Sequence, residues 1–508
     1  MERCRARELY DASRGWDPAI LRLRGAVLKS RIPLALFGVL LLAGGLRFYG
    51  LGIQSLWVDE LASVWFAGPG SVAEVVERTV GDVHPPGYHL VLHLSMTVFG
   101  DAEWAVRLPS AVAGWLAVYV VFLLGRELYS TREGLAGALL TAVFFSPVYY
   151  AQEARSYSLL LLFSALTALL WWRVFRGFTE GGRPGGWTVL GYVAAATICC
   201  YLHYFGLFIV AFQGAAMFWA VGVFRLRSVF GVIVVYVPIG LAYLPWAFVM
   251  PGQARDREPG ATAPGLYADF LFNSSPAMTL IAALLFFGLF AVSLPALGAV
   301  RSVEGFGRFM PGLLLVGWLT VPFGVAWIIS EYATPILSAR NMIVASPAAY
   351  LLLARAIVVL APNARLQTAL AVGVAGLSLY QVVFTDELYS RVHKQQVREA
   401  VAFVTDRREN DPLVVHCGVG REANYYYRAQ GSDRSEFSQV GACEAERMAA
   451  VLSAGAEHGE IILVYAHLRP SEELLRAMSE EYRPVTHRDL YDAGAFLYRN
   501  PAGQGTGT

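Results

Sequence analysis

The chain has 508 residues, of which 56% are hydrophobic and only 16% charged, with a mean hydropathy of +0.48. A soluble domain carries about 25% charged residues. This apolar excess excludes a single water-soluble core and points to a polytopic α-helical membrane protein. The formal net charge of +1 excludes a nucleic-acid partner held by bulk electrostatics.

Residues 1–31 hold eight Lys/Arg and four Asp/Glu, with no small-x-small cleavage site before the acidic loop that follows. They read as a cytoplasmic basic N-terminus rather than a cleaved signal. The first span is expected over residues 33–52. Further apolar segments fall near 104–125, 134–150, 157–175, 187–202, 205–224, 228–248, 275–299, 310–330, 341–361 and 366–385. That makes about eleven transmembrane helices within a membrane part at 32–385, and an odd number puts the C-terminal part outside. The loops agree with this orientation. Arg126, Arg132, Arg173, Arg176, Arg183, Arg225, Arg227, Arg301, Arg308, Arg355 and Arg365 all fall on the predicted inside. Asp59, Glu60, Asp82, Asp101, Glu103, Glu153, Asp269 and Glu331 fall on the outside, along with Arg255, Arg257 and Arg340. The expected location is the plasma or inner membrane, with the bilayer itself as a partner.

The longest loop between spans, residues 53–103, contains an apolar stretch at 85–99 that is short for a crossing. His84-Pro85-Pro86 opens it, and proline suits a first helical turn. A helix lying along the outer membrane surface is expected.

Residues 386–508 hold 33 charged residues in 123, against 46 in the first 385. The part at 386–500 therefore reads as a small extracytoplasmic α/β domain. Helices are expected at 392–408, 422–428, 444–454 and 471–481, and strands at 413–416, 461–465 and 493–498. Residues 501–508 read as a disordered tail. Cys199 and Cys200 read as small apolar helix residues, while Cys417 and Cys443 share the soluble part, where a location outside the cytoplasm allows a disulfide between them or leaves them free. Lysine is nearly absent, Lys29 and Lys394 being the two present. An anionic ligand in the membrane part must then rely on arginine or backbone donors, and arginine's planar fork suits phosphate.

Acids beside an apolar span are costly and are kept for a reason. Asp59 and Glu60 are flanked by Leu56, Trp57, Val58, Leu61, Val64, Trp65 and Phe66. A carboxylate in such surroundings can be tuned to act as a general base, although a plain polar loop would look the same. Asp82, His84, His89 and His93 invite comparison with a metal site. No HExxH or cysteine spacing supports one, so packing or substrate roles are preferred to a divalent metal and no cofactor is expected. Glu153 and Arg155 form an ion pair between helices or bind and orient an anionic head group. Arg340 leads directly into an apolar span at head-group depth and can meet a lipid phosphate. Arg47 and Arg107 are weaker candidates that snorkel to the interface. The loop at 250–274 reads as solvated or as a gate.

Taken in order, Arg47, Leu56-Trp57-x-Asp59-Glu60, Asp82-x-His84-Pro85-Pro86-x-Tyr88, Arg107-Leu108-Pro109-Ser110 and Ala154-Arg155-Ser156-Tyr157 form a specific set. The set resembles the multi-span GT-C glycosyltransferases of the protein O-mannosyltransferase and aminoarabinose-transferase group. The likeness is close over roughly residues 40–175 and general beyond. It implies a polyprenyl-phosphate-linked sugar as donor and an extracytoplasmic protein, lipid or glycan as acceptor. It also implies Asp59 as catalytic base, with Glu60 supporting it or touching the acceptor. Arg155 and Arg340 become the donor-phosphate residues. Beside that resemblance, Asp82, His84, Glu153 and Tyr157 are read as substrate-binding, the Asp82 segment shaping the acceptor cleft. The aminoarabinose transferases use a lysine near the phosphate; here an arginine is expected to take its place. No loop is long enough for the inserted sugar-binding barrel of the O-mannosyltransferases, which favours a bacterial relative.

The chemistry agrees. A phosphate leaving group needs a cationic clamp, and the acceptor hydroxyl needs a base. No glycine-rich nucleotide loop is present, and none is needed. A transporter or flippase for a lipid-linked saccharide is the competing reading, because intramembrane charges suit that class too. Against it, no doubling of the chain into related halves is visible.

Overall fold

The computed structural model describes residues 34–179, 184–224, 229–253, 276–293, 303–418, 423–433, 439–441 and 448–501. The basic N-terminus, nearly all of the proposed gating loop, Cys443 and most of the C-terminal tail lie outside the described residues.

Helix α1 (Leu34–Phe48) leads into the outer loop, which carries three short helices: α2 (Val58–Phe66), α3 (Val72–Val80) and α4 (Gly87–Phe99). Then follow α5 (Glu103–Leu128), α6 (Thr131–Val143), α7 (Phe145–Tyr149), α8 (Tyr157–Thr179), α9 (Gly186–Leu202), α10 (Phe205–Phe224) and α11 (Val229–Ala247). Helices α12 (Pro276–Ser293), α13 (Val303–Tyr332), α14 (Ser346–Leu360) and α15 (Ala364–Tyr380) complete the apolar part. Each of the eleven expected spans thus holds a helix. Among the described residues, six helices are long and apolar enough to cross a bilayer, and the α6–α7 pair makes a seventh. Leu34–Phe48, Gly186–Leu202, Phe205–Ala220 and Met278–Phe290 are shorter apolar helices. Large apolar side chains such as Phe37, Phe230, Leu241 and Phe287 face outward, as a hydrocarbon solvent allows.

Prolines mark two of the expected spans: Pro147 has no N–H for Val143 O and accompanies a break, whereas Pro109 sits inside a continuous helix. The segment expected as one straight span at 134–150 is bent by 62° between Val143 and Phe145. The break frees the last carbonyls of α6, which no longer meet an N–H four residues on. Arg47 satisfies them, donating to Thr141 O at 2.8 Å and Ala142 O at 2.9 Å. It is fully buried and does not snorkel, correcting the expectation. In α5, Pro109 cannot donate to Ala105 O, and Ser95 Oγ does so instead at 3.3 Å.

Helix α4 has 13 residues and spans about 20 Å, too short to cross the hydrocarbon core. Its first residue abuts the end of α9. A Cβ on Gly87 would lie 2.5 Å from Tyr201 O, so only glycine permits this approach.

The C-terminal part contains α16 (Val397–Thr405), α17 (Asn424–Ala429), α18 (Met448–Gly455) and α19 (Glu472–Glu481) around one five-stranded sheet. Its strands are β1 (Leu413–Cys417), β2 (Gln439–Gly441), β3 (Glu460–Ala466), β4 (Arg483–Leu490) and β5 (Ala493–Arg499), in spatial order β2-β1-β3-β5-β4. Strands β1, β2 and β3 run parallel, and β5 is antiparallel to both β3 and β4. Strands β1 and β3 are buried along their whole length, which explains their unbroken apolar runs. The helix expected at 392–408 begins only at Val397, because residues 393–396 are drawn into contacts with the outer loop and the β4–β5 turn. Cys417 is disulfide-bonded, whereas Cys199 and Cys200 are free and buried.

The two parts share a core. Leu56, Leu61, Tyr88 and Leu92 of the outer loop pack in one apolar cluster with Val401, Val404, Tyr426, Ile462 and Leu497 of the C-terminal part.

Candidate active site

Helix α2 presents its two acids in opposite ways. Glu60 points inward and is fully buried. Arg107 grips it with two bonds, Nε to Oε1 at 2.8 Å and Nη2 to Oε2 at 2.7 Å. Lys394 Nζ lies 3.1 Å from Oε2, and the Ala154 N–H donates to Oε1 at 2.7 Å. Burial opposes the ionised form. The Arg107 and Lys394 charges, the Arg107 bonds and the Ala154 N–H outweigh it and hold the carboxyl well below its usual range. Glu60 therefore cannot contact an acceptor, and that half of the expectation is corrected. Arg107 also donates to Leu51 O, Gln54 O and Ser55 O at 2.6–3.0 Å, which fixes the chain just before α2. It too is buried rather than snorkelling.

Asp59 points the other way, and its side chain keeps 31% of its exposure. Arg340 Nη1 donates to its Oδ2 at 2.9 Å, and Arg155 Nη2 lies 3.9 Å from the same oxygen. Arg155 is buried and anchored by Ser63 Oγ and Asp59 O, while the Arg340 side chain is 43% exposed. The Arg155 guanidinium lies 5.9 Å from the Tyr157 ring centre. The structure thus brings Asp59, Arg155, Arg340 and Tyr157 together from three separate stretches of sequence.

Glu153 is buried beside them, and its Oε2 has no hydrogen-bond partner. Burial, reinforced by the charges of Glu60 and Asp59, raises its carboxyl to about 7 against the pull of Lys394 and Arg155. Asp82 faces two imidazoles, His84 Nδ1 at 3.4 Å and His89 Nε2 at 3.6 Å. Burial lowers the proton affinity of both histidines. His93 instead bonds Ala67 O at 2.9 Å, away from this group. Among the described residues, no group of three or more His, Cys, Asp or Glu is placed to hold a metal ion.

Three contributors escaped the sequence reading. Lys394 reaches back from the start of the C-terminal part to Glu60 Oε2 at 3.1 Å and Gln152 O at 2.7 Å, completing the buried cluster around Glu60. Tyr426 accepts from the Leu56 N–H at 2.5 Å and donates to Glu103 at 2.6 Å. His203, in the break between α9 and α10, packs its ring 5.2 Å from that of His84. Nothing local marks the first two, since their partners lie more than 240 residues away. An isolated histidine between two apolar runs was the available signal for the third.

A cleft of about 540 Å³ opens between the outer loop and the C-terminal part, lined by Trp65, Arg78, His93, Asp101, Tyr425 and Arg428. It follows the side of α2 opposite Asp59, as helical spacing from Leu61, Val64 and Trp65 requires.

A family model described as "Dolichyl-phosphate-mannose-protein mannosyltransferase" matches residues 83–246, a span that begins beyond Asp59. An undecaprenyl phosphate-alpha-4-amino-4-deoxy-L-arabinose arabinosyl transferase of Pseudomonas savastanoi pv. phaseolicola is 28% identical over 238 residues, covering 43% of this chain and 42% of that protein. The chain thus spans less than half the length of this curated relative. ArnT from Cupriavidus metallidurans in the apo state superposes with a TM-score of 0.57 at 12% identity, covering 93% of this chain and 98% of that one. The oligosaccharyltransferase AglB from Archaeoglobus fulgidus gives 0.54 at 12% identity, covering 94% and 75%. The polytopic part of this chain has the GT-C fold, in the arrangement it shares with ArnT and AglB.

Proposed function

We propose that this chain is an integral-membrane glycosyltransferase. It moves a sugar from a polyprenyl phosphate to a hydroxyl of an extracytoplasmic protein, lipid or glycan. The observation that carries this reading is the partly exposed Asp59 carboxylate lying against Arg340 and Arg155. The likenesses support it. The matched AglB structure holds an inhibitory peptide and a dolichol-phosphate, and ArnT has also been solved bound to undecaprenyl phosphate, with a TM-score of 0.51.

In the free protein both arginines rest on Asp59. The donor's phosphodiester spreads its charge over two oxygens that accept arginine's paired N–H groups, and the monoester released on transfer carries more charge than a carboxylate. An incoming donor phosphate draws Arg155 and Arg340 to itself and leaves Asp59 free to accept a proton. The acceptor hydroxyl gives that proton to Asp59 while its oxygen bonds the anomeric carbon. The bond from that carbon to the phosphate oxygen breaks, and the electron pair leaves on the polyprenyl phosphate, where the two guanidinium groups meet it. Attack opposite the leaving group inverts the anomeric centre. Glu60 acts as a positioning residue that locks the first turn of α2. Asp82, His84, Glu153 and Tyr157 line the donor side. The bilayer is the plasma or inner membrane, with this face outside and residues 386–500 covering it.

The test is sugar transfer from an undecaprenyl-phosphate-linked sugar by the full-length protein in membranes. Asp59→Asn is expected to lose about 10²–10⁴ of the rate while still binding undecaprenyl phosphate, the range of a lost general base. Undiminished transfer by this variant would refute the assignment, and retention of configuration in the product would refute the single displacement.

A further inference from the structure

His203 occupies the break between α9 and α10 and is 3% exposed. Its Nδ1 accepts the Phe205 backbone N–H at 3.2 Å. A nitrogen that accepts carries no hydrogen, so the neutral ring holds its hydrogen on Nε2. That Nε2–H is buried with no hydrogen-bond partner, an arrangement native proteins rarely leave without a use. The ring lies 5.2 Å from His84 and 6.2 Å from Tyr157, whose own ring adjoins Arg155. Burial first, then the charges of His84, Arg155 and Arg340, push its proton affinity well down against the pull of Asp82. The ring stays neutral and its tautomer is fixed.

Resting on the reading of this site as one that holds a lipid phosphate, we propose that His203 binds the donor's phosphate, its Nε2–H donating to a phosphate oxygen beside Arg155 and Arg340. A neutral donor suits this position. Two arginines already face the single Asp59 carboxylate, and a third cation would add repulsion among them. A fixed N–H adds a directed bond without adding charge.

Two substitutions separate binding from folding. His203→Asn keeps a side-chain oxygen near Nδ1 to accept the Phe205 N–H and removes the Nε2–H. His203→Gln extends an amide N–H toward the Nε2 position and loosens the cap. Undecaprenyl phosphate and undecaprenol are titrated onto the full-length protein in detergent. His203→Asn is expected to weaken undecaprenyl phosphate binding about tenfold, the worth of one hydrogen bond to a charged acceptor. Undecaprenol binding and thermal stability stay at wild-type values, and His203→Gln recovers most of the phosphate affinity. Unchanged phosphate binding by His203→Asn overturns the proposal. So does equal weakening by both variants, or an equal loss of undecaprenol binding. A wild-type protein that fails to bind undecaprenyl phosphate overturns the reading of the site as well, which distinguishes the two failures.

Discussion

Replacing Glu60 with glutamine tests the buried cluster on which the site stands. The substitution preserves shape and removes one charge. Glu60 Oε2 accepts from Arg107 Nη2, Lys394 Nζ and the Trp57 N–H, and Oε1 accepts from Arg107 Nε and the Ala154 N–H. Whichever way the amide turns, its NH2 group faces at least two donors. Two cations are also left in a region from which water is excluded. Removing one partner of such a buried group costs about 3–5 kcal/mol. At pH 7 Glu60→Gln is expected to lower the midpoint of thermal unfolding in detergent by about 5–10 °C, taking about 2 °C per kcal/mol for a large chain. The wild-type carboxyl is held below its unfolded value of 4.5, so its contribution is complete above that pH and fades as pH falls toward about 2. The gap between variant and wild type must therefore close in acid. Removing the surplus cation as well, in Glu60→Gln with Lys394→Met, recovers part of the loss. A Glu60→Gln protein as stable as wild type at pH 7, or a gap that widens in acid, would refute the argument.

Arg340→Ala and Arg155→Lys, measured by undecaprenyl phosphate titration, are expected to weaken binding by about tenfold or more, since each removes a charge-assisted or forked contact. Arg155→Lys should also lower stability, because Arg155 is buried and bonds Ser63 Oγ and Asp59 O, whereas Arg340→Ala should leave it unchanged. Glu153 carries a carboxyl raised to about 7 from 4.5, so between those values the folded protein holds a proton that the unfolded chain releases, and stability falls as pH rises. Glu153→Gln is expected to remove that fall, gaining about 3 kcal/mol relative to wild type at pH 8 and little at pH 4, read from thermal unfolding at the two values.

The apolar part was legible because its signal is a continuous run, and a run survives without knowledge of its neighbours. The eleven expected spans correspond to helices, Asp59, Arg155 and Tyr157 of the ordered motif set lie together, and Arg340, read separately from its place before an apolar span, joins them. What hid were pairings across distance. Arg47 and Arg107 look like residues that reach for the interface, and the carbonyls and the acid that bury them lie on other elements. The bend between Val143 and Phe145 is marked in the sequence by Pro147 alone, which cannot donate to Val143 O four residues back, while the surrounding apolar pattern runs on. Strand β4 reads as a polar loop, Arg483 to Leu490 being exposed almost throughout. It is an edge strand whose pairing with β5 comes from the backbone, and its charges and Pro484 protect that edge. Lys394 and Tyr426 belong to a stretch of ordinary soluble composition, and only folding brings them back to residues 54–60.

That return has a bearing on biogenesis. Glu60 and Arg107 leave the ribosome hundreds of residues before Lys394, and the nascent first half must persist with an unfinished cluster until the later segment is delivered to it. Maturation of the outer loop is thereby tied to completion of synthesis, so a prematurely terminated polypeptide would insert its helices with the buried Glu60 cluster incomplete.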